Sequence, residues 1–233
     1  MKIYLATSNQ NKKREMSEIL SGYTIVTPGD EGIDFNPEET GSTFYENSLI
    51  KARALWHKVH APVLADDSGI CVDALGGRPG IYSARYAGPL YPNGTPDGKK
   101  TPQAKQNEYL VEELNAAIGK GVDIEKGKAL GLFRHGLRSA HYTCAMVLLI
   151  DRDRFVVAEE TMEGSIVSSI EEARGNGGFG YDPLFLLPDG KRTSAQLTDE
   201  EKNAISHRGK ATRIIIQAIN SGILNFNGTL EKK

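Results

Sequence analysis

Short apolar runs alternate with helix-length amphipathic segments along the chain, a pattern typical of a protein that contains both strands and helices. Between residues 11 and 20, apolar residues recur at helical spacing, so that Met16, Ile19 and Leu20 share one face. The elements predicted in this part of the chain are a strand at 2–6, a helix at 11–20, a strand at 23–27 and a helix at 44–58.

The second half of the chain continues this alternation. Residues 140–150 and 155–167 are two strand-like runs separated by the turn-forming residues 151–153, which predicts a hairpin. Thr198 and Glu201 match a capping box and predict the start of a helix. The other predicted elements are a helix at 102–118, a surface connection at 119–128, a strand at 184–187 and a last helix that ends near Gly222. We therefore expect an α/β fold.

The most distinctive stretch is an acidic pair within an apolar region. Asp66 and Asp67 follow the apolar residues 63–65 and precede a second apolar run at 70–75. Because Asp, Ser and Gly favour turns, we expect a sharp bend at residues 66–69. Buried carboxylates are costly unless cations or hydrogen-bond donors face them, and a pair can also hold a divalent ion. The pair alone leaves a simple turn and a metal site both open.

A polar turn follows the first predicted strand and opens the first helix, with Lys12 and Lys13 near the helix start. Backbone N–H groups at a helix start attract anions, and lysine supplies a countercharge for phosphate. The turn lacks the glycine-rich pattern of a Walker phosphate loop, and capping by Ser8 or Asn9 would need no ligand. Phosphate binding and ordinary capping are both open interpretations.

Two later segments also allow two interpretations each. The glycine-rich residues 174–183 cannot form a regular element, and their aromatic residues, Phe179 and Tyr181, either stack on a planar ring or fold back into the core. The cationic residues between 202 and 210 either face a ligand or form a solvated basic face.

The composition narrows the classes of function. The 233 residues are 39% hydrophobic and 25% charged, with a formal net charge of −2, which gives no electrostatic case for a nucleic-acid or anionic-membrane partner. No apolar run approaches the length of a membrane span, and the first residues lack the apolar core of a signal peptide, so we expect a cytoplasmic protein. Cys71 and Cys144 lie in apolar sequence and are interpreted as reduced core residues.

Several short motifs, each weak alone, occur together in a defined order. They are residues 5–12 (LATSNQNK), residues 38–41 (EETG) followed by Phe44, Glu46, Asn47 and Lys51, residues 65–69 (ADDSG), residues 77–86 (GRPGIYSARY), residues 177–183 (GGFGYDP) and residues 206–209 (SHRG). As an ordered set that spans most of the chain, they resemble the inosine/xanthosine triphosphate pyrophosphatase family, the ITPase-like house-cleaning enzymes that hydrolyse non-standard purine nucleoside triphosphates.

The resemblance implies an α/β fold with a long twisted mixed sheet, flanking helices and two lobes around a central nucleotide cleft, usually as a homodimer. It places a single such domain at residues 1–222, with a loop excursion at 88–102 and a C-terminal tail at 223–233. It also implies Mg²⁺ as the cofactor and a small-molecule nucleoside triphosphate as the substrate, with no nucleic acid or membrane as partner.

Position by position, the resemblance also implies roles for individual residues. Glu39 and Asp67 would hold Mg²⁺, and Asp67 would accept the proton of the attacking water with support from Asp66. Lys51 would assist at the triphosphate. The residues that would contact the substrate are Thr7, Ser8, Asn9, Gln10, Asn11 and Lys12 at the triphosphate, Ser68, and Phe179, Gly180, Tyr181, Asp182, Lys202, His207 and Arg208 at the base.

The chain departs from the family pattern at three places. Ser8 stands where glycine is usual, the segment between Ala87 and Tyr142 is longer than is common, and His141 lies near the position of a usual arginine. Two other functions stay open. One is the related septum-associated pyrophosphatase class, which acts on pyrimidine or modified nucleotides, and the other is a nucleotide-sensing or nucleic-acid-binding protein without catalysis.

Overall fold

The strands within the described part of the chain form one mixed sheet. The computed structural model describes residues 1–87 and 101–222, so the predicted tail and all but the last two residues of the predicted excursion lie outside the described residues. The strands are β1 (Lys2–Leu5), β2 (Thr24–Val26), β3 (Val63–Val72), β4 (Ser139–Leu149), β5 (Phe155–Ile166) and β6 (Phe185–Leu186). Their order in the sheet is β2-β1-β3-β4-β5-β6. Strand β1 is parallel to β2 and β3, whereas β5 and β6 are antiparallel.

Helices separate the first four strands along the chain, and two more helices follow β6. They are α1 (Gln10–Ile19), α2 (Phe44–Val59), α3 (Gln103–Gly119), α4 (Ile124–Ala129), α5 (Asp199–Ile205) and α6 (His207–Asn220). The predicted α/β class, the hairpin of β4 and β5 and the capped start of α5 are confirmed. Within the described residues, no helix is both long enough and apolar enough to span a membrane.

The chain divides into two compact units. The first contains residues 1–67, 144–160 and the described residues from 203 onward, and the second contains the described parts of 68–143 and 161–202. In the first unit, Leu5 and Leu64 pack in one cluster with residues of α1 and α6, whereas Tyr4 and Ala65 pack in another cluster with residues of α2. Because successive strand residues point to opposite faces, β1 and β3 bury both faces, which explains their continuous apolar runs.

The second unit has its own apolar core. Buried residues of β3, α3 and β5 form this core, with Phe185 of β6 and Tyr142 of β4 in ring contact at a centroid distance of 4.8 Å. The buried members of this cluster on β3, α3 and β5 are Ile70, Val72, Leu110, Val111, Leu114, Met162 and Ile166.

Two predictions about local structure are wrong. The expected bend at residues 66–69 is absent, because β3 runs without interruption from Val63 to Val72. The segment 119–128 is not only a surface connection, because it contains most of α4. This helix carries Gly127, where an added Cβ would lie 2.0 Å from the ring of Phe133. Gly127 therefore permits close packing of an aromatic ring on a helix.

A similar close approach in the second unit generates a stability prediction. A Cβ added at Gly164 of β5 would lie 2.3 Å from the carbonyl oxygen of Leu186 and 2.6 Å from the Phe185 ring. We expect Gly164→Ala to lower the free energy of unfolding by about 1–3 kcal/mol, the usual cost of overpacking. Urea unfolding measures this change. Gly29→Ala is the matched control, because nothing lies within 4 Å of its added Cβ; equal midpoints for the two variants would contradict the prediction.

Candidate active site

The turn between β1 and α1 is organised by its own side chains. Asn9 is the N-cap of α1, and its Oδ1 accepts hydrogen bonds from the N–H groups of Asn11 at 2.9 Å and Lys12 at 3.4 Å. Thr7 Oγ1 accepts from the N–H of Asn9 at 3.1 Å. Ordinary capping, one of the two interpretations left open by the sequence, is therefore present. It satisfies the helix N-terminus with neutral groups and leaves the lysine side chains available for acids.

The two lysines near this helix start have different partners. Lys13 Nζ lies 2.6 Å from Asp30 in an exposed ion pair. Lys12 Nζ instead lies 2.8 Å from Asp66 Oδ2, and the Asp66 carboxylate is almost fully buried. Of the two cations that the sequence places at the helix start, only Lys12 has an ion pair with the central acidic pair in the described structure.

Asp66 belongs to a buried charge network on one face of β3. The guanidinium of Arg208, at the start of α6, contacts Asp66 Oδ2 at 3.3 Å and Glu15 Oε2 at 2.5 Å. Burial alone would raise the pKa of Asp66, but Lys12 and Arg208 outweigh it and hold that pKa well below its usual range. Asp66 is therefore an ionised carboxylate that is compensated by two cations.

Asp67 lies on the opposite face of the same strand and has different partners. Its Oδ1 accepts from Lys51 Nζ at 3.1 Å and its Oδ2 accepts from Asn47 Nδ2 at 3.2 Å. Burial raises the pKa of Asp67, although Lys51 acts in the opposite direction. Lys51 also contacts Glu39 Oε1 at 2.9 Å, so a single ammonium lies between two carboxylates.

Helix α2 positions the partners of Asp67. Asn47 and Lys51 are four residues apart and share one face of the helix. A capping box fixes the helix start, because Thr43 accepts from the Glu46 N–H and Glu46 accepts from that of Thr43. Asn47 Oδ1 also accepts from the Gly41 N–H at 2.9 Å, and an added Cβ on Gly41 would lie 2.7 Å from that oxygen. This contact holds the loop that carries Glu39.

The donor chemistry of this cluster suits a hard divalent ion. The described residues contain no ready-made group of three or more His, Cys, Asp or Glu side chains that could hold a metal. Mg²⁺, however, is commonly held by one or two carboxylates together with waters and substrate phosphates. Glu39 and Asp67 face one common cation, the Lys51 ammonium, so two carboxylates already converge on one point. These two carboxylates fit a Mg²⁺ ion whose other ligands are water and the oxygens of a triphosphate.

The second unit contains a separate cluster around Asp182. Its Oδ2 accepts from Lys202 Nζ at 2.7 Å and from the Phe179 N–H at 2.8 Å, and its Oδ1 accepts from Ser194 Oγ at 2.5 Å. The Lys202 ammonium also lies 4.7 Å from the centre of the Phe179 ring, within cation–π range. Gly178 has a φ of 69°, and an added Cβ would lie 2.1 Å from Asp182 Oδ2. Asp182 therefore organises the glycine-rich segment.

The two aromatic residues of this segment behave differently. Tyr181 is buried, and its hydroxyl donates to the carbonyl oxygen of Ser83 at 2.9 Å. Phe179 is half-buried. The core interpretation therefore applies to Tyr181, whereas Phe179 retains the surface that stacking on a planar ring would need.

Five further predicted residues have the following positions. Ser8 is exposed in the turn after β1, and Gln10 is exposed at the first residue of α1. His207 is buried at the first residue of α6, Ser68 is half-buried in β3, and Gly180 has a φ of 69°. The solvated basic face is wrong for Lys202, His207 and Arg208, which are all buried.

Three residues of these clusters were absent from the predicted substrate and metal set: Glu15, Asn47 and Ser194. The helical spacing of Glu15 from Lys12 and of Asn47 from Lys51 was a usable signal, whereas Ser194 had none.

Comparison with known proteins gives one consistent result. The model of the Ham1 family matches residues 3–218. A dITP/XTP pyrophosphatase of Treponema denticola is 50% identical over 211 residues, covering 91% of this chain and 94% of that protein. One from Salmonella typhimurium is 40% identical over 225 residues, covering 95% and 99%. The structure of a HAM1 protein from Coxiella burnetii matches with a TM-score of 0.75 at 34% identity, covering 95% and 99%.

The network around Asp66 generates a second stability prediction. Arg208→Met would leave Asp66 and Glu15 buried without their shared cation, so we expect the free energy of unfolding to fall by about 3–5 kcal/mol. Arg213→Met is the control on the same helix, because Arg213 donates to the carbonyl oxygens of Asn203 and Ala204 and not to a buried acid. Its expected loss is about 1 kcal/mol per lost hydrogen bond. Urea unfolding of both variants tests the difference, and similar losses would refute the network.

Proposed function

Because the chain belongs to the Ham1 family, we propose that it is a nucleoside triphosphate pyrophosphatase that hydrolyses the non-standard purine nucleotides ITP, dITP and XTP. The products are the nucleoside monophosphate and pyrophosphate, and the role is to cleanse the nucleotide pool. The observation that carries this proposal is that Lys51 contacts both Glu39 and Asp67 while Lys12 contacts the adjacent Asp66, all within one unit. Phosphoryl chemistry needs charge neutralisation and positioning, which this set supplies.

The triphosphate is assigned to the turn of residues 7–12. The backbone of this turn is held by the side chains of Thr7 and Asn9, and the side chain of Lys12 extends to Asp66. Lys12 and Lys51 are the cations nearest the acidic pair from two different helices, α1 and α2. A bound triphosphate places negative charge beside both ammonium groups, which is the arrangement that phosphoryl-transfer sites use.

Glu39 and Asp67 would hold Mg²⁺, which supplies charge neutralisation at the phosphates when it is bound. The Asp67 carboxylate takes a proton from the attacking water as the water oxygen forms its bond to the α-phosphorus. The bond from that phosphorus to the bridging oxygen then breaks, and pyrophosphate leaves. Asn47 keeps Asp67 in position through its bond to Oδ2. Asp66 does not touch this step and instead fixes Lys12.

Base recognition is assigned to the residues around Asp182. The accessible part of the Phe179 ring stacks on the purine, and Lys202 is held against that ring by Asp182. In this pocket, hydrogen-bond donors of the protein face the 6-oxo group of hypoxanthine or xanthine. The same donors stay unpaired when adenine, with its 6-amino group, enters. That mismatch produces strong discrimination against ATP. Ser68, Gly180, His207 and Arg208 complete the proposed substrate set.

The resemblance to the family supports three further parts of the proposal. The protein acts as a homodimer, it works in the cytoplasm, and residues 1–222 constitute one catalytic domain. Its partner is a small-molecule nucleotide, with no nucleic acid or membrane involved. Light scattering of the purified protein tests the first of these statements directly, because a homodimer has about twice the mass of the 25.4 kDa chain.

A panel of nucleoside triphosphates tests the activity. With Mg²⁺ present, we expect pyrophosphate release from ITP, dITP and XTP to exceed that from ATP, UTP and dTTP by at least about 10²-fold, and a chelator to abolish it. Asp67→Asn should lower kcat by about 10²–10⁴-fold, because the water loses its proton acceptor, while nucleotide still binds. Asp30→Asn, in an exposed ion pair, is the control. Faster hydrolysis of UTP or dTTP would favour the septum-associated class, and no pyrophosphate from any triphosphate would favour a non-catalytic sensor.

A second experiment tests the stacking role of Phe179. We expect Phe179→Leu to raise KM for ITP by about 5- to 150-fold, because base–aromatic stacking is worth about 1–3 kcal/mol. Inhibition by inorganic tripolyphosphate, which has no base, should keep the same inhibition constant in this variant. A parallel rise in both constants would show that the substitution disturbs the phosphate-binding residues and would contradict a specific role in base binding.

A further inference from the structure

The contacts of Lys51 differ from those of an ordinary phosphate-binding lysine. Its Nζ lies 2.9 Å from Glu39 Oε1 and 3.1 Å from Asp67 Oδ1, and its side chain is 9% exposed. Its ammonium therefore lies between the two carboxylates that are assigned to Mg²⁺.

A metal ion bound to both carboxylates would need the position that this ammonium occupies. A divalent ion must approach each carboxylate oxygen to about 2.1 Å, and the ammonium already lies within hydrogen-bond distance of one oxygen of each group. Two cations cannot share that point, because their repulsion in a buried site is larger than in water. Lys51 and the metal are therefore alternative occupants of one position.

We propose that Lys51 is an exchange residue: it closes the Glu39–Asp67 pair in the nucleotide-free enzyme and moves to the triphosphate when a metal-bound nucleotide enters. This inference rests on the proposed function of the same site. The exchange makes metal binding dependent on nucleotide. The metal must displace the ammonium from both carboxylates, and this displacement costs less when phosphate oxygens offer the ammonium new partners. The substrate then brings the ion and releases the carboxylates for it.

The surrounding contacts allow this exchange without movement of the backbone. Helix α2 is fixed at its start by its capping box, and Asn47 is held by the Gly41 N–H. Asp67 keeps its bond from Asn47 when Lys51 leaves. The lysine carries its charge on a flexible four-carbon stem, so side-chain rotation alone can redirect the ammonium. Glu39, the more exposed carboxylate with a side chain 28% accessible, offers the open side of the pair.

Thermodynamic linkage gives the measurable consequence. If Lys51 and metal compete, removal of the lysine must raise the metal affinity of the nucleotide-free protein. It must also reduce the factor by which nucleotide raises that affinity, because that factor contains the displacement of Lys51. If Lys51 acted only on phosphate, its removal would leave the metal affinity of the nucleotide-free protein unchanged.

The test uses Mn²⁺ as a spectroscopic probe in place of Mg²⁺. Free Mn²⁺ is measured by electron paramagnetic resonance during titration of the full-length protein, with and without an ITP analogue whose α,β-bridging oxygen is a methylene group. We expect Lys51→Met to raise the affinity of the nucleotide-free protein for Mn²⁺ by at least about tenfold, since it removes a unit charge in direct contact with both carboxylates. Lys13→Met removes the same charge from the Asp30 ion pair and should change the affinity less than about twofold.

Two further variants keep the outcomes separate. Lys51→Gln retains a polar side chain and should show the same direction of change if Lys51→Met fails to fold. Adding Glu39→Gln to either variant should remove the gain, which shows that the ion occupies this pair. Unchanged or weaker Mn²⁺ affinity in a folded Lys51 variant overturns the exchange proposal. A gain in Mn²⁺ affinity in a protein that releases no pyrophosphate from any triphosphate overturns the proposed function and leaves the exchange intact.

Discussion

The structure of the first unit depends on how two adjacent buried carboxylates are compensated. Asp66 and Asp67 are consecutive residues of one strand, so their side chains point to opposite faces of the sheet. Asp66 points to the face covered by α1 and α6, where it meets Lys12 and Arg208. Asp67 points to the face covered by α2, where it meets Lys51 and Asn47. Each carboxylate thus receives its own cations, and the strand continues through both without a bend.

Under the proposed function, this arrangement separates structural and chemical roles between neighbouring residues. Asp66 has fixed partners that are themselves buried, including an arginine shared with Glu15, so its charge is committed to holding elements together. Asp67 has a partly accessible neighbour, Glu39, and a flexible lysine partner. A carboxylate that must contact a changing ligand needs partners that can be exchanged, and a fully committed carboxylate cannot supply them. The alternation of the strand gives both functions to one acidic pair.

The sequence predicted the elements of this fold well because long apolar periodicities decide them. It placed the strands and helices near their observed bounds, and several residues of its ordered motifs are in contact, since Lys51 meets Glu39 and Asp67 and Lys12 meets Asp66. It failed at residues 66–69, where local turn propensity was overridden by cations from distant helices. It also could not distinguish Tyr181 from Phe179, because the choice depends on a carbonyl oxygen at Ser83, far away in the chain. Such outcomes depend on tertiary partners that no local pattern contains.

The second unit shows the complementary use of a buried lysine. Lys202 contacts one carboxylate, Asp182, which is also bonded to Ser194 and to the Phe179 N–H. Asp182 and Lys202 are both almost fully buried, so the carboxylate that holds Lys202 is hardly accessible. The second acid at Lys51, Glu39, is partly exposed, and Asp67 keeps its hydrogen bond from Asn47 if the ammonium moves. The exposure of the acidic partners therefore decides which buried lysine can move and which one must stay.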